Sequence, residues 1–146
     1  MSRYWVGVAS YEHVKVGVAG GFAQLGHGKH APVRRLSPGD WIVYYSPRTT
    51  MSGGEPVQAF TAIGKVKPGD AYQVEQTFDF RPFRRDIDYC SSARPAALAE
   101  LRERLSFTRG RGSHWGFAFR RGSLEIPHDD FALILEAMKI KPCKDV

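Results

Sequence analysis

Short apolar runs, each closed by glycine, proline or a polar cluster, set the rhythm of this chain. Tyr4–Ala9 reads as a first strand, and Ser10 after it as an N-cap whose hydroxyl accepts from a backbone N–H near His13. Tyr11, Val14 and Val18 then share one face of a short helix that Gly20-Gly21 would stop. From Phe22 to Leu36 periodicity fails, and the stretch reads as a shaped loop of the kind that carries function. Ser37-Pro38-Gly39-Asp40 has the residue order of a type II turn and opens the strand Trp41–Ser46. Trp41, Val43 and Tyr45 fall on one face of that strand, Ile42 and Tyr44 on the other.

A polar loop over residues 47–57 leads to a strand at Gln58–Lys67, where Gly64 marks a bulge or the close approach of another backbone. Pro68–Asp70 repeats the Pro-Gly-Asp turn before a strand at Ala71–Gln76. Phe78–Tyr89 reads as a strand whose apolar parity switches at Pro82, implying a bend. Pro95 begins a predicted helix to Leu105 with Leu98, Leu101 and Leu105 inward and Glu100 paired to Arg104 outward. After a basic glycine loop come a strand at His114–Arg120, a turn at Arg121-Gly122 and a strand at Ser123–Ile126. A last helix starts near Pro127 and carries Phe131, Ile134, Leu135 and Met138 on one face. Six or seven short strands that do not alternate strictly with about three helices predict an α+β fold. Its sheet should be mixed or antiparallel and curved into a barrel, not doubly wound.

Composition narrows the class. At 146 residues the chain suits one domain, residues 1–146, and needs no disulfide to build a core. With 42% hydrophobic and 25% charged residues it is neither disordered nor a membrane protein, and no apolar run is long enough to span a bilayer. Cys90 and Cys143 stand far apart without a CxxC pair, which excludes a disulfide framework. No secretory signal opens the chain, so a reduced, cytoplasmic setting is expected, with residues 141–146 a flexible tail. The formal net charge of +6 favours a polyanionic partner, nucleic acid first. The basic residues form no tail, so any positive patch must be assembled by folding.

Tested for chemistry, most motifs fail. Gly26-His27-Gly28-Lys29 has Ala23 where a P-loop needs its first glycine and His30 where it needs Ser or Thr. His27 and His30 lack a third ligand at a familiar spacing, so no metal and no cofactor is expected. Cys90 could be a nucleophile, but reads first as a small residue at a strand end. No nucleophile elbow or paired-carboxylate signature occurs, so no catalytic residue is assigned. What stands out is a surplus of rings. Aromatic faces hold single bases by stacking, although each ring also suits a core. Rings beside polar residues are the better candidates: Phe22 with Gln24 and His27, Tyr45 with Ser46, Trp115 with His114. Arginines cluster at residues 81–85 and 109–111 and could meet phosphates; a solvated strand face and a mobile glycine loop are the competing readings.

The segments YWVGVAS, GGFAQLGHGKHAPVRRLSPGD, WIVYYSP, QAFTAIGKV and FRPFRRDIDY, in this order and spacing, resemble the bacterial EVE domain family from Tyr4 to about Ile140. The resemblance implies a PUA-like fold, a curved mixed β-barrel flanked by helices and related to the YTH domains that read methylated adenosine in RNA. It also implies a base-binding cavity near Ser10, the loop Phe22–Lys29, the strand end Tyr45-Ser46-Pro47, and Trp115. The aromatic cage of the YTH relatives has no residue-by-residue counterpart here.

The expected function is therefore a non-catalytic module that binds a modified nucleobase in RNA or DNA, flipped or single-stranded. The base would stack on Phe22 or Trp115 and be read by Ser10, Gln24 and His27, while Lys29, Arg34, Arg84 and Arg109 contact phosphates. The alternative is a small hydrolase acting on a modified nucleoside, as some PUA-like ASCH domains are, with His27 and Lys29 as acid and base.

Overall fold

The computed structural model describes residues 2–140. Cys143 and the expected tail at 141–146 lie outside the described residues. Eight strands form one mixed sheet: β1 (Tyr4–Val8), β2 (Phe22–Ala23), β3 (Trp41–Arg48), β4 (Pro56–Val66), β5 (Tyr72–Gln73), β6 (Phe83–Tyr89), β7 (Ala96–Ala97) and β8 (Ser123–Ile126). The main path runs β2-β6-β4-β3-β1-β8, with β5 added to β6 and β7 to β4. Among the described residues only the β1–β3 pairing is parallel; the others are antiparallel. The sheet curls into a half-barrel whose path does not return on itself. Three α-helices flank it: α1 (Tyr11–Gly20), α2 (His30–Arg34) and α3 (His128–Ala137).

The alternation predicted for β3 is realised with both faces covered. Trp41, Val43 and Tyr45 join a core with Val6, Phe60, Leu98, Leu101, Leu105 and the α3 residues Phe131, Ile134, Leu135 and Met138. Ile42 and Tyr44 join a second core with Trp5, Val14, Leu25, Val33, Leu36 and Ile87. Between Tyr44 and Tyr45 the register with β4 slips by one residue, and the extra residue, Thr61, bonds Ser46 hydroxyl to hydroxyl at 2.8 Å. Gly64 is where β6 crosses closely: an added Cβ would sit 2.8 Å from the Asp88 carbonyl oxygen.

The parallel pairing is locked by Asp40, which ends the predicted Pro-Gly turn. Gly39 has φ +88° and the Asp40 N–H donates to Ser37 O at 3.0 Å, closing that turn. The buried Asp40 carboxylate accepts from the Arg3 N–H, the Trp5 Nε1–H and the Ser37 N–H, each at 3.0 Å. One side chain thus satisfies three donors and ties β1 to the start of β3.

Several elements depart from the sequence reading. Ser10 caps α1 through the His13 N–H as expected, but Val18 is 41% exposed and the buried positions are Val14 and Gly17. The irregular stretch 22–36 contains β2, a 3-10 turn at Gly26–Gly28 and α2. The strand expected at 71–76 shrinks to Tyr72–Gln73, and β6 starts only at Phe83. Phe78, 86% exposed, sits in a tight turn where Thr77 and Phe80 exchange backbone hydrogen bonds of 3.2 Å. The helix expected from Pro95 is absent because Ala96 and Ala97 pair with Phe60 and Ala59 of β4. Further along, the Thr108 hydroxyl takes the Arg102 carbonyl at 2.6 Å. The three leucines are nonetheless buried, carried on successive turns, while the ion pair observed there joins Arg102 to Glu103 at 3.9 Å. Residues 114–120 form 3-10 turns rather than a strand, which lets Phe119 lie flat over Tyr45, centroids 3.9 Å apart.

Replacing Asp40 by Ala should leave three N–H groups without their acceptor. The expected loss is about 3 kcal/mol or more in equilibrium urea unfolding. A loss within about 0.5 kcal/mol would show that the carboxylate is not what ties β1 to β3.

Candidate functional site

The site is built from the segment that periodicity could not read. Gly21, φ +73°, ends α1 and turns the chain back across it. Phe22 and Ala23 then pair with Asp86 and Arg85 of β6. Gln24 leaves the sheet with its backbone gripped from several sides. Its N–H donates to the Tyr44 hydroxyl at 3.2 Å, and its carbonyl accepts from His13 Nε2 at 3.1 Å. That bond requires Nε2 to carry the proton. One residue pair back, the Tyr89 hydroxyl donates to Phe22 O at 2.8 Å. Burial pushes the Tyr44 phenol up to about 12. Burial, and then the neighbouring Tyr44, hold Tyr89 well above the usual tyrosine value.

The Gln24 side chain is fixed as well. Arg84 Nε donates to Gln24 Oε1 at 3.0 Å, Arg84 Nη2 donates to Gln76 Oε1 at 3.1 Å, and the guanidinium lies 3.9 Å from the Phe22 ring centroid. Beyond Leu25, residues Gly26, His27 and Gly28 are all left-handed, with φ of 56°, 61° and 83°. At Gly28 no Cβ fits, since it would fall 2.5 Å from Pro82 Cβ and 3.2 Å from Phe80 Cζ. The turn therefore holds His27 outward on the rim, in a conformation that costs a non-glycine residue about 1–2 kcal/mol.

Beside this segment opens a cavity of about 760 Å³. Ser10 and His13 line it from the start of α1, Gln24, Gly26 through Lys29 and Arg35 from the shaped segment, and Arg120 through Ser123 from the chain entering β8. Met51, Gln76 and Phe80 also line it, as do the apolar side chains of Val8, Ala9, Ala31 and Pro32. Lys29, Arg35, Arg120 and Arg121 supply four cations, and no lining residue among those described is Asp or Glu. The Ser10 hydroxyl accepts from the His13 N–H at 3.3 Å, which leaves its own proton to offer. Two other surface grooves, about 240 and 270 Å³, are a third of this size.

The structure thus gathers Ser10, Gln24, His27 and Lys29 around one cavity and leaves the other predicted site residues elsewhere. Phe22 lies buried beneath Arg84. Tyr45 belongs to the first core, on the opposite face of the sheet from Tyr44, and Ser46 is buried against Thr61. Trp115 packs on that same core with Arg102 over its ring at 5.8 Å. Arg34 and Arg109 are exposed and do not line the cavity, and Arg84 is engaged by Gln24 and Gln76. In the same cluster Arg85 is buried, donating to Leu36 O at 2.8 Å, which removes it from any phosphate role. Cys90 is half-buried and packs against the first core. Among the described residues no three His, Cys, Asp or Glu side chains gather where they could hold a metal ion.

Sequence reasoning missed Phe80, Arg35, Arg120 and Arg121 as cavity residues. A signal for the last two existed. Pairing β8 antiparallel to β1 places the Arg121-Gly122 turn beside Val8, whose N–H donates to Gly122 O at 2.8 Å.

The curled mixed sheet with its flanking helices is a PUA-like fold, shared with YTH domains. The YTH domain of Zygosaccharomyces rouxii MRB1, solved in complex with N6-methyladenosine RNA, superposes with a TM-score of 0.62 at 15% identity, covering 98% of this chain and 90% of that one. The EVE domain profile matches residues 3–137. The chain belongs to the EVE domain family. A UPF0310 protein of Mesorhizobium japonicum, msl3206, is 50% identical, covering 94% of this chain and 93% of its own. The UPF0310 protein YdcG of Bacillus subtilis is 45% identical over 95% of this chain and 94% of its own. Among the described residues no helix is long and apolar enough to cross a membrane.

Replacing Tyr44 by Phe should leave the Gln24 N–H without its acceptor, lowering stability at pH 7 by about 1–3 kcal/mol. A phenol whose pKa rises on folding stabilises the protein below about pH 10, and that stability is lost as pH climbs toward 12. Urea midpoints measured from pH 9 to 12 should therefore fall steeply for the native chain and less steeply for Tyr44→Phe. Parallel pH profiles would count against the buried phenol.

Proposed function

We propose that the protein is a non-catalytic nucleic-acid-binding module that admits one nucleobase, modified in its physiological target, from a single-stranded or locally opened RNA or DNA. The observation that carries this reading is the cavity itself: about 760 Å³, four cations from two chain segments, hydrogen-bonding groups at Ser10, His13 and Gln24, and no carboxylate among its described lining. Phosphates flanking the base meet Lys29, Arg35, Arg120 and Arg121. Phe80, 36% exposed at the lining, offers the ring on which a base stacks, the role the sequence reading gave to Phe22 or Trp115. The fold likeness to a YTH domain crystallised with methylated RNA supports the class of ligand.

Fluorescence anisotropy with short labelled single strands, plain and base-methylated, tests this. The double variant Arg120→Glu/Arg121→Glu should weaken binding at least tenfold and flatten the salt dependence, because two phosphate contacts contribute about 1.4 to the log–log slope. Phe80→Ala should reduce the difference between modified and plain strands while leaving the salt dependence intact. Arg104→Glu, exposed and away from the cavity, should change neither. Equal losses in all the charge variants, without any base preference, would reduce the interaction to diffuse electrostatics and overturn the proposal.

A further inference from the structure

We infer that Gln24 makes the cavity selective for a nucleobase that presents a carbonyl oxygen rather than an amino group, and that Arg84 is the positioning residue that sets this polarity. The inference rests on the base-binding reading above and deepens it. A free carboxamide is ambivalent: by rotating half a turn it offers either an oxygen or an NH2. Gln24 has lost that freedom. Arg84 can only donate, so the atom 3.0 Å from its Nε must be the carboxamide oxygen. Arg84 is itself held by a second acceptor, Gln76 Oε1 at 3.1 Å, and by the Phe22 ring 3.9 Å below its guanidinium. The Gln24 backbone cannot shift to compensate, because Tyr44 and His13 hold its N–H and its carbonyl.

What Gln24 has left for the cavity it lines is therefore its NH2. Among the described residues this nitrogen has no partner, although the residue is only 8% exposed. Two donors at the edge of the cavity reward an acceptor and penalise a facing amino group. An unconstrained glutamine pairs with both the acceptor and the donor of adenine; this one has its oxygen turned to Arg84, which leaves the NH2 as the group it presents first. The ligand class that follows is a base bearing a ring carbonyl at the edge it turns to Gln24, as uracil, thymine, guanine and hypoxanthine do.

The test compares single strands that differ at one central base: hypoxanthine against adenine, and uracil against cytosine, each pair exchanging a carbonyl for an amino group and, beside it, a ring N–H for an unprotonated nitrogen. The native protein should bind the carbonyl member about tenfold more tightly in both pairs. Arg84→Met releases the Gln24 carboxamide to rotate, and the ratio should fall toward one. Gln24→Glu keeps the partnership with Arg84 but replaces the NH2 by an acceptor oxygen. Its ratio should invert even as overall affinity drops, and it remains informative if Arg84→Met folds poorly. Because each readout is a ratio within one variant, a merely structural loss would not move it. A native preference for adenine or N6-methyladenine, or equal affinities within both pairs, would overturn the inference while leaving base binding intact. Failure to bind any strand would overturn the underlying reading and this inference with it.

Discussion

Six consecutive residues from Trp41 to Ser46 are buried, so β3 has no face to give to solvent and each of its faces demands a covering layer. α3 and the turns carrying Leu98, Leu101, Leu105 and Phe119 cover one face. α1, α2 and the segment joining them cover the other. Asp40 makes the arrangement specific by tying the start of β3 to both Arg3 and Trp5 of the β1 chain. The parallel pairing of β1 with β3 then obliges the intervening chain, residues 9–40, to pass over one face of the sheet.

That obligation explains why the candidate site is where it is. Residues 22–36 must bury Leu25, Val33 and Leu36 over the second face of β3 within a short length of chain. They manage it with left-handed residues at 26–28, and the segment just before them leaves backbone groups of the buried Phe22 and Gln24 outside the sheet ladder. Tyr44, Tyr89 and His13 satisfy these groups from three different elements. The same contacts that complete the fold also hold Gln24 rigid at the cavity lining. The cations stand around it on less constrained chain: Lys29, Arg120 and Arg121 are exposed. The buried polar groups and the exposed cations are thus built from different parts of the structure, the former expensive to alter and the latter easy.

Local pattern was enough to foresee the two faces of β3, the cap of α1, the Pro-Gly-Asp turn, β8 and the inward face of α3, because each depends on residues near one another in sequence. Gly64 was legible as a close approach for the same reason: a glycine inside a strand is costly unless something must pass. Tertiary competition was not legible. Ala96 and Ala97 have helical propensity, but β4 offers a pairing edge that no local rule reveals. Phe119 reads as a strand residue until the flat face of Tyr45 is seen waiting for it. Ser10, Gln24, His27 and Lys29, which the structure brings to one cavity, were singled out because Ser10 follows the first strand and the other three lie inside the aperiodic stretch. Trp115 and Tyr45 looked equally suitable, and only the sheet decides that they face the first core. Phe80 was hidden by the opposite error: assigned to a regular strand, it sits on a turn that brings it against Gly28.

The central claim is that one cationic cavity, floored by a constrained polar segment, receives a base from a nucleic-acid strand. Amide chemical-shift mapping of the isotopically labelled chain with a short single-stranded oligonucleotide examines it most directly. The account predicts shifts concentrated at Ser10, His13, Gln24 to Lys29 and Arg120 to Ser123, saturating together with one affinity. Shifts centred instead on the exposed Val16–Val18 side of α1, or spread evenly over Arg104, Arg109 and the other surface cations, would contradict it.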